Sequence, residues 1–452
     1  MKNPTTTPPP PCCAYPLSPT RLLLLLLGIV LLTQAAPAQS FTWANRTSDT
    51  AGKTSVVADI DGNTYVLNDF TGNISVDAYN FTSLGGSDVL LVKYNPAGVV
   101  QWAKRIGGTG NEEAGDVDMT WGGGFLYVTG SFQSTIKFGS NTFGPVSPLT
   151  SLGQSDAFVA KYSLGGSLKW ARRAGGTDDD YGYGLEVTAD EEVYVTGGFR
   201  GTMSLPVAAT TVSVKSSGLS DAFLLHYNTF GSVQLVRRLG STGIDYGAAV
   251  VQDKFSGNVY LTGGASPAGS FIPNVLVARF DGNGALQLNK QYGTAGTIDV
   301  GNDITVDLEG VHVTGYFGGT INFDGKLLTS SGGADAFVIH YLDKTSNSVA
   351  WAKKYGGSSW DEGQSLAYRL GKLYLGGTFN GKATFGTTTL TAKGGADDRD
   401  MFLTSLAADG TPVWAQQIGS PGFDYGRGDI ALYYGNTIFT YRSLRRDHVP
   451  GQ

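Results

Sequence analysis

Six acidic residues recur at one place in a repeated loop, and their spacing is the first chemistry to weigh. Counting five residues on from Gly107, Gly175, Gly240, Gly356 and Gly419 gives Glu112, Asp180, Asp245, Asp361 and Asp424; Asp299 holds the same place in a loop one residue longer. Aromatic residues flank them. Tyr181, Tyr246 and Tyr425 follow directly, while Trp360 and Phe423 precede their acids. Carboxylates gathered around one opening could hold a divalent cation, or take sugar hydroxyls while the rings cover apolar sugar faces. The competing reading is local: each carboxylate accepts the backbone N–H groups of its own loop, as Asp does in turns. Presence in every copy favours the structural role, because a site differentiates its residues.

The remaining chemistry-bearing residues read as scaffold. Asp88, Asp156, Asp221 and Asp335 each begin a strand after a Gly-rich turn, and Asn274 stands in for a fifth. A turn tolerates that exchange; an acid–base role does not. Of the histidines, His226 and His340 occupy the position held elsewhere by Lys93, Lys161 and Arg279, His312 replaces a Tyr, and His448 lies near the end. Exchange among Lys, Arg and His points to solvated strand sites rather than metal ligands. No His pair at zinc spacing, no Gly-x-Ser-x-Gly elbow and no phosphate loop occurs. Asp59-Ile60-Asp61-Gly62-Asn63 has its glycine misplaced for a calcium loop and reads as a hairpin turn. The basic pairs Lys104-Arg105, Arg172-Arg173, Arg237-Arg238 and Lys353-Lys354 fall on one repeated strand, where charge at an exposed rim discourages edge-to-edge pairing. No catalytic residue and no cofactor is expected.

The elements that position these residues come from a repeat. The strand Tyr127-Val128-Thr129-Gly130 recurs from Tyr194 and Tyr260, and in weaker form from Tyr65, His312, Tyr374 and Ile438, at intervals of 62, 67, 66, 52, 62 and 64 residues. Each copy reads as four strands with alternating β-branched and aromatic residues, glycine punctuation and no helical period. The third strand runs Asp156 to Tyr162 and the fourth contains Trp170; Trp43, Trp102, Trp351 and Trp414 share that place, where a large ring fills the gap between neighbouring sheets. Repetition of a four-stranded unit predicts an all-β protein: a β-propeller of four-stranded antiparallel blades with seven-fold organisation, whose last blade is incomplete and is closed by the N-terminal strand. The domain is expected over 41–442, with 443–452 an aberrant or truncated tail. The segment between second and third strands varies most in length and is expected on the face of the acidic loops, where recognition is often built.

These motifs resemble the bacterial SBBP-type β-propeller repeat, in which Trp-Ala, Gly-Gly, Asp-x-x-Gly-Asn-x-Tyr-Val-Thr-Gly and Asp-Ala-Phe-Val-x-Lys-Tyr recur in that order. The matching residues are Trp102-Ala103, Gly107-Gly108, Asp61-Gly62-Asn63-Thr64-Tyr65, Tyr194 to Gly197 and Asp156 to Tyr162. The resemblance spans roughly residues 41 to 440 and implies an exported propeller of mostly non-catalytic role, with no catalytic residues to carry over.

The start of the chain agrees with export. Lys2 and Arg21 precede the apolar run Leu22 to Leu32, followed by Ala36-Pro37-Ala38. That run suits a signal peptide over 1–38 and is shorter than the roughly 20 residues of a membrane span. Both cysteines, Cys12 and Cys13, lie within this leader. Without Lys2 and Arg21 the chain keeps 30 basic residues against 38 acidic ones, a net charge of −8, which argues against nucleic acid and anionic membranes. The expectation is a secreted, cell-surface or periplasmic binding or scaffold module for a protein or surface glycan. The alternative is a polysaccharide hydrolase or lyase using two of the loop carboxylates.

Overall fold

The computed structural model describes residues 53–120, 122–139, 148–207, 210–342, 347–396, 398–422, 424, 428–433 and 436–440. The leader, Trp43, Phe423, Tyr425 and the tail 443–452 lie outside them. Every regular element among the described residues is a strand. Unit 1 comprises Thr54–Ala58, Thr64–Val76, Tyr79–Tyr94 and Val100–Gly108; unit 2 Glu112–Met119, Phe125–Phe138, Leu149–Ser163 and Leu168–Ala174. Unit 3 comprises Asp180–Val187, Val193–Phe199, Asp221–Tyr227 and Val233–Leu239; unit 4 Asp245–Gln252, Val259–Ala265, Asn274–Phe280 and Leu286–Tyr292. Unit 5 comprises Val300–Val306, Gly310–Phe317, Asp335–Leu342 and Trp351–Gly357; unit 6 Asp361–Arg369, Lys372–Asn380, Arg399–Leu406 and Pro412–Ile418. The pair Asp429–Tyr433 and Asn436–Thr440 follows. Within each unit, consecutive main strands pair antiparallel, as the alternating pattern predicts.

Burial falls from the inner strands of each unit to the outer one. In unit 3 the second and third strands are buried throughout, apart from His226, whereas the fourth is largely open. The middle strands are therefore covered on both faces by neighbouring sheets. Aromatic residues fill those seams. Trp170 stands between Tyr127 of its own unit and Tyr227 of the next, with ring centroids at 5.9 and 6.4 Å. Its indole N–H donates to Thr229 O at 3.0 Å, and the equivalent Trp102 donates to Leu164 O at 3.0 Å. Gly231 lies on the Trp170 ring with φ of 71°, so both a left-handed turn and the close approach of an aromatic face require glycine there.

A second seam explains the threonine of the Tyr-Val-Thr-Gly motif. Thr129, Thr196, Thr262 and Thr314 donate to Phe158, Phe223, Leu276 and Phe337 carbonyls at 2.6–2.8 Å. Against these hydroxyls sit Gly182, Gly247, Gly301 and Gly363 of the following unit, where any Cβ would overlap the threonine oxygen. Motif and glycine are the two halves of one junction.

The variable segments behave differently from the expectation of free recognition loops. They do pack on the acidic loops, since the backbone N–H groups of Asp245, Asp299 and Asp361 donate to Ser220, Pro273 and Ala334 at 2.9–3.0 Å. Yet several are spent on holding units together. The hairpin in unit 2 pairs Phe138 and Ile136 with Ile106 and Gly108 of unit 1, and the hairpin Lys382–Phe385/Thr388–Thr391 pairs with Gly356 and Gly357 of unit 5.

Candidate functional site

The six loop carboxylates do not converge on an opening. Glu112, Asp180, Asp245, Asp299 and Asp361 are fully buried and Asp424 nearly so. Each accepts N–H groups from its own loop: Gly108 to Glu112 at 2.7 Å, Gly176 to Asp180 at 2.7 Å, Ser241 to Asp245 at 2.5 Å, Thr294 to Asp299 at 2.6 Å, Gly357 to Asp361 at 2.6 Å, and Ser420 to Asp424 at 2.5 Å. The idea of an acidic ring around the hub is corrected accordingly. Trp360 packs on Tyr316 and donates to Glu362 at 2.6 Å, so it too serves its own loop.

What the loop acids meet is the third-strand Asp of the preceding unit. Gly107, Gly175, Gly240, Gly356 and Gly419 press against Asp88, Asp156, Asp221, Asp335 and Asp400, and three of these glycines touch the loop acid as well. Burial raises Glu112 and Asp180 to about 8 and Asp361 to about 7, with Asp88, Asp156 and Asp335 as neighbouring carboxyls that raise them further. Burial raises Asp88 as well, while the neighbouring Glu112 and Arg105 pull it back in part. The partner's charge is met by the fourth strand: Arg105, Arg173, Arg238 and Lys354 lie 3.4, 2.8, 2.7 and 3.1 Å from Asp88, Asp156, Asp221 and Asp335. The basic pairs are thus more than rim charges. Arg172 and Arg237 donate to Gly231 O and Gly284 O of the next unit, at 2.8 and 2.7 Å. As expected, Asp88, Asp156, Asp221 and Asp335 also fix their turns, accepting from Leu84, Leu152, Ser217 and Ser331 N–H at 2.8–3.1 Å.

The concave site is elsewhere. A cavity of about 1070 Å³ is walled by the first strands of units 1 to 6 together with Asp429–Tyr433. At one level of this wall, opposite the motif threonine or its equivalent, stand Ser55, Asp116, Gly184, Ala249, Asp303, Ser365 and Asp429. A register shift next to this level in units 2 to 6 re-aims the chain there, as bulges do. Each polar side chain reaches an N–H of the adjoining first strand: Val117 donates to Ser55 at 3.2 Å, Leu185 to Asp116 at 2.9 Å, Leu366 to Asp303 at 2.6 Å, Ile430 to Ser365 at 3.2 Å, and Val56 to Asp429 at 3.0 Å. Val187 donates to Asp118 at 2.7 Å, two residues further along both strands. Adjoining first strands therefore run the same way.

Burial lifts the carboxyls on this wall. Asp118 and Asp303 reach about 7, Asp429 adding its charge to the burial of Asp303, and Asp116 and Glu186 are raised as well. Lys53 lowers Asp116 in part and donates to Tyr183 O at 2.6 Å. At the loop end of the cavity Tyr183 packs on Tyr246 at 6.2 Å and lies parallel to Tyr181 at 5.7 Å. Of the described residues singled out as candidates from sequence, Tyr246 alone lines the cavity. At the other end, Phe255, Leu308 and Leu370 are exposed on the turns between first and second strands. The wall thus offers carboxyls that donate or accept near neutral pH, tyrosine faces at one mouth and apolar side chains at the other.

The histidines need the same correction. His312 and His340 are buried, as are Lys161 and Arg279 at the position shared with His340, so this is not a solvated site. Asp59 does form the hairpin turn, accepting from Asp61 and Asn63 N–H at 3.0 and 2.8 Å.

No family model matches the chain. It is 26% identical to the regulatory protein FlaEY of Caulobacter vibrioides over 413 residues, covering 81% of this chain and 40% of that protein. It is 24% identical to the uncharacterized WD repeat-containing protein L264 of Acanthamoeba polyphaga mimivirus over 186 residues, 36% of this chain and 13% of that one. The chain therefore spans less than half the length of either relative. Among solved structures, Kuenenia stuttgartiensis hydrazine synthase aligns over 90% of this chain and 100% of that one with a TM-score of 0.47 and 11% identity. The phage phi92 endosialidase aligns over 87% of this chain and 62% of its own, with a TM-score of 0.36 and 10% identity. At those scores neither likeness bears on fold or activity.

Proposed function

We propose that the chain is an exported β-propeller of seven blades that binds a protein or a surface glycan without turning it over. Closure is supported by one junction. Asp429 of the last strand pair accepts from Val56 N–H and lies 3.0 Å from Ser55 Oγ, the same bond that joins units 2 and 3 through Asp116 and Leu185. The observation that carries the binding reading is the cavity of about 1070 Å³ walled by equivalent strands, a volume suited to an enclosed ligand segment. The names of the two relatives, a regulatory protein and a WD repeat protein, favour recognition over turnover. The tyrosines Tyr183 and Tyr246 and the exposed Phe255, Leu308 and Leu370 supply contact surface at its two ends. No helix among the described residues is long and apolar enough to cross a membrane.

The hydrolase or lyase alternative loses the carboxylates it was built on, because Glu112, Asp180, Asp245, Asp299, Asp361 and Asp424 are enclosed by backbone. Glycan-array binding paired with an activity screen on polysaccharides separates the two. The expected result is binding without turnover, weakened roughly tenfold in Tyr183→Ala and unchanged in Asp180→Asn. Turnover abolished by Asp180→Asn or Asp245→Asn contradicts the binding reading.

A further inference from the structure

One column of side chains repeats through the units with changing chemistry. The residue that opens the Tyr-Val-Thr-Gly motif stands directly opposite a third-strand residue: Tyr65 faces Lys93, Tyr127 faces Lys161, Tyr194 faces His226, Tyr260 faces Arg279, and Tyr374 faces Ser405. The turn that precedes the motif supplies an acid. Asp59 takes the Tyr65 hydroxyl at 3.1 Å and Glu192 lies 3.0 Å from His226 Nε2, while Lys161 reaches Glu191 on the turn of the following unit at 2.8 Å. In unit 5 both opposed residues are imidazoles, His312 and His340, and the turn contributes Asp307, whose Oδ2 is 2.8 Å from His312 Nε2. We propose that Asp307, His312 and His340 form a binding site for a divalent transition-metal ion of the zinc type.

The donor set is one that zinc accepts, two imidazole nitrogens and one carboxylate oxygen, with a fourth place left for water. One ligand atom from each of the three residues lies within 4.8 Å of the other two, a spread that one ion with bonds of ~2 Å closes by small side-chain rotations. Directly opposed residues on antiparallel strands hold their Cβ atoms close, so the fold brings the two rings together without help from the ion. The second, independent observation is an unmet polar demand. The Nδ1 atoms of both His312 and His340 are buried and engage no hydrogen-bond partner, in side chains only 2% and 4% exposed. Buried ring nitrogens left unpaired are costly and uncommon, and two in one stacked pair call for a partner that takes lone pairs.

Asp307 also lines the cavity beside Leu308 and Tyr368, which gives an ion a route and leaves room for water in the open place.

Unit 3 is a built-in control. Tyr194 and His226 stack with centroids 4.3 Å apart, the same separation as His312 and His340. The fold therefore accommodates Tyr at the His312 position, and His312→Tyr removes a ligand without opening a hole. The test uses untagged protein freed of metal by chelator dialysis and titrated calorimetrically with Zn²⁺, with Co²⁺ as a spectroscopic probe. Expected are one Zn²⁺ per chain, a Co²⁺ visible band of low-coordinate type, and a rise in unfolding temperature with Zn²⁺. Affinity falls at least roughly tenfold in His312→Tyr and in His340→Gln, and is unchanged in His226→Gln. Circular dichroism of the metal-free variants confirms that they fold. The proposal is overturned by the absence of stoichiometric Zn²⁺ binding, or by equal binding in the folded His312→Tyr/His340→Gln double variant.

Discussion

Two sets of carboxyl groups lie only a few residues apart in the chain and live in different worlds. Glu112, Asp180, Asp245, Asp299, Asp361 and Asp424 keep a carboxyl at every loop, enclosed by it and, at five of the six, set against a second Asp. Asp116, Asp303 and Asp429 face the cavity, and their equivalents elsewhere are Ser, Gly or Ala. Uniformity marks the residues that build each unit. Variation marks the wall where units meet and where a ligand would lie.

The largest expected effect breaks the enclosed set. In Arg173→Ala the charge on Asp156 loses its cation inside the protein, and a cost of about 3 kcal/mol is expected in denaturant unfolding. On the cavity wall the same kind of loss costs less. Asp429→Ala removes the acceptor for Val56 N–H and the partner of Ser55 and Ser365, and about 1–2 kcal/mol is expected, with Asp429→Asn recovering part of it. If both substitutions cost the same, the contrast between enclosed and wall carboxyls fails.

A finer test uses pH. Glu112 and Asp180 at about 8 and Asp361 at about 7 stand above the ordinary carboxyl value near 4, so the folded chain holds protons that the unfolded chain has released. Their stabilising contribution is fully present below that ordinary value and is lost as pH rises through 7 to 8. The unfolding temperature should therefore decline between roughly pH 5 and pH 8.5. Asp180→Asn has no proton to lose, and its decline should be shallower by about 2 °C. Scanning calorimetry across that range is the measurement, and an unchanged slope counts against a protonated Asp180 in the folded chain.

Much of the fold was legible. The Tyr-Val-Thr-Gly repeat placed the second strands, the Asp-Ala-Phe-Val repeat placed the third, and the tryptophan position proved to be a seam. The structural reading of Glu112 and Asp180 also stands, because their neighbours are constant. The cavity wall was hidden by the same uniform logic. Seven residues at one level are of four types, and a register shift puts them out of phase with simple alternation, so no pattern in the chain announces Asp116, Asp303 or Asp429 as neighbours. The seam between Thr196 and Gly247 joins residues far apart in sequence, and each was visible only as half of a motif. His340 was misread because a position that accepts Lys, Arg and His looks solvated. In the fold the long side chain at that position in unit 2, Lys161, runs buried to Glu191 on a turn of unit 3.

Ring closure is the claim on which the cavity depends, and a cross-link between its two ends tests it most directly. With Cys12 and Cys13 replaced by Ser, the double substitution Ser55→Cys/Asp429→Cys places two thiols at adjoining wall positions. Mild oxidation should give a monomer with one internal disulfide, seen as a mass loss of two hydrogens and a linked peptide after proteolysis. Free thiols in the folded protein after oxidation, or bonds formed only between molecules, would contradict a closed ring.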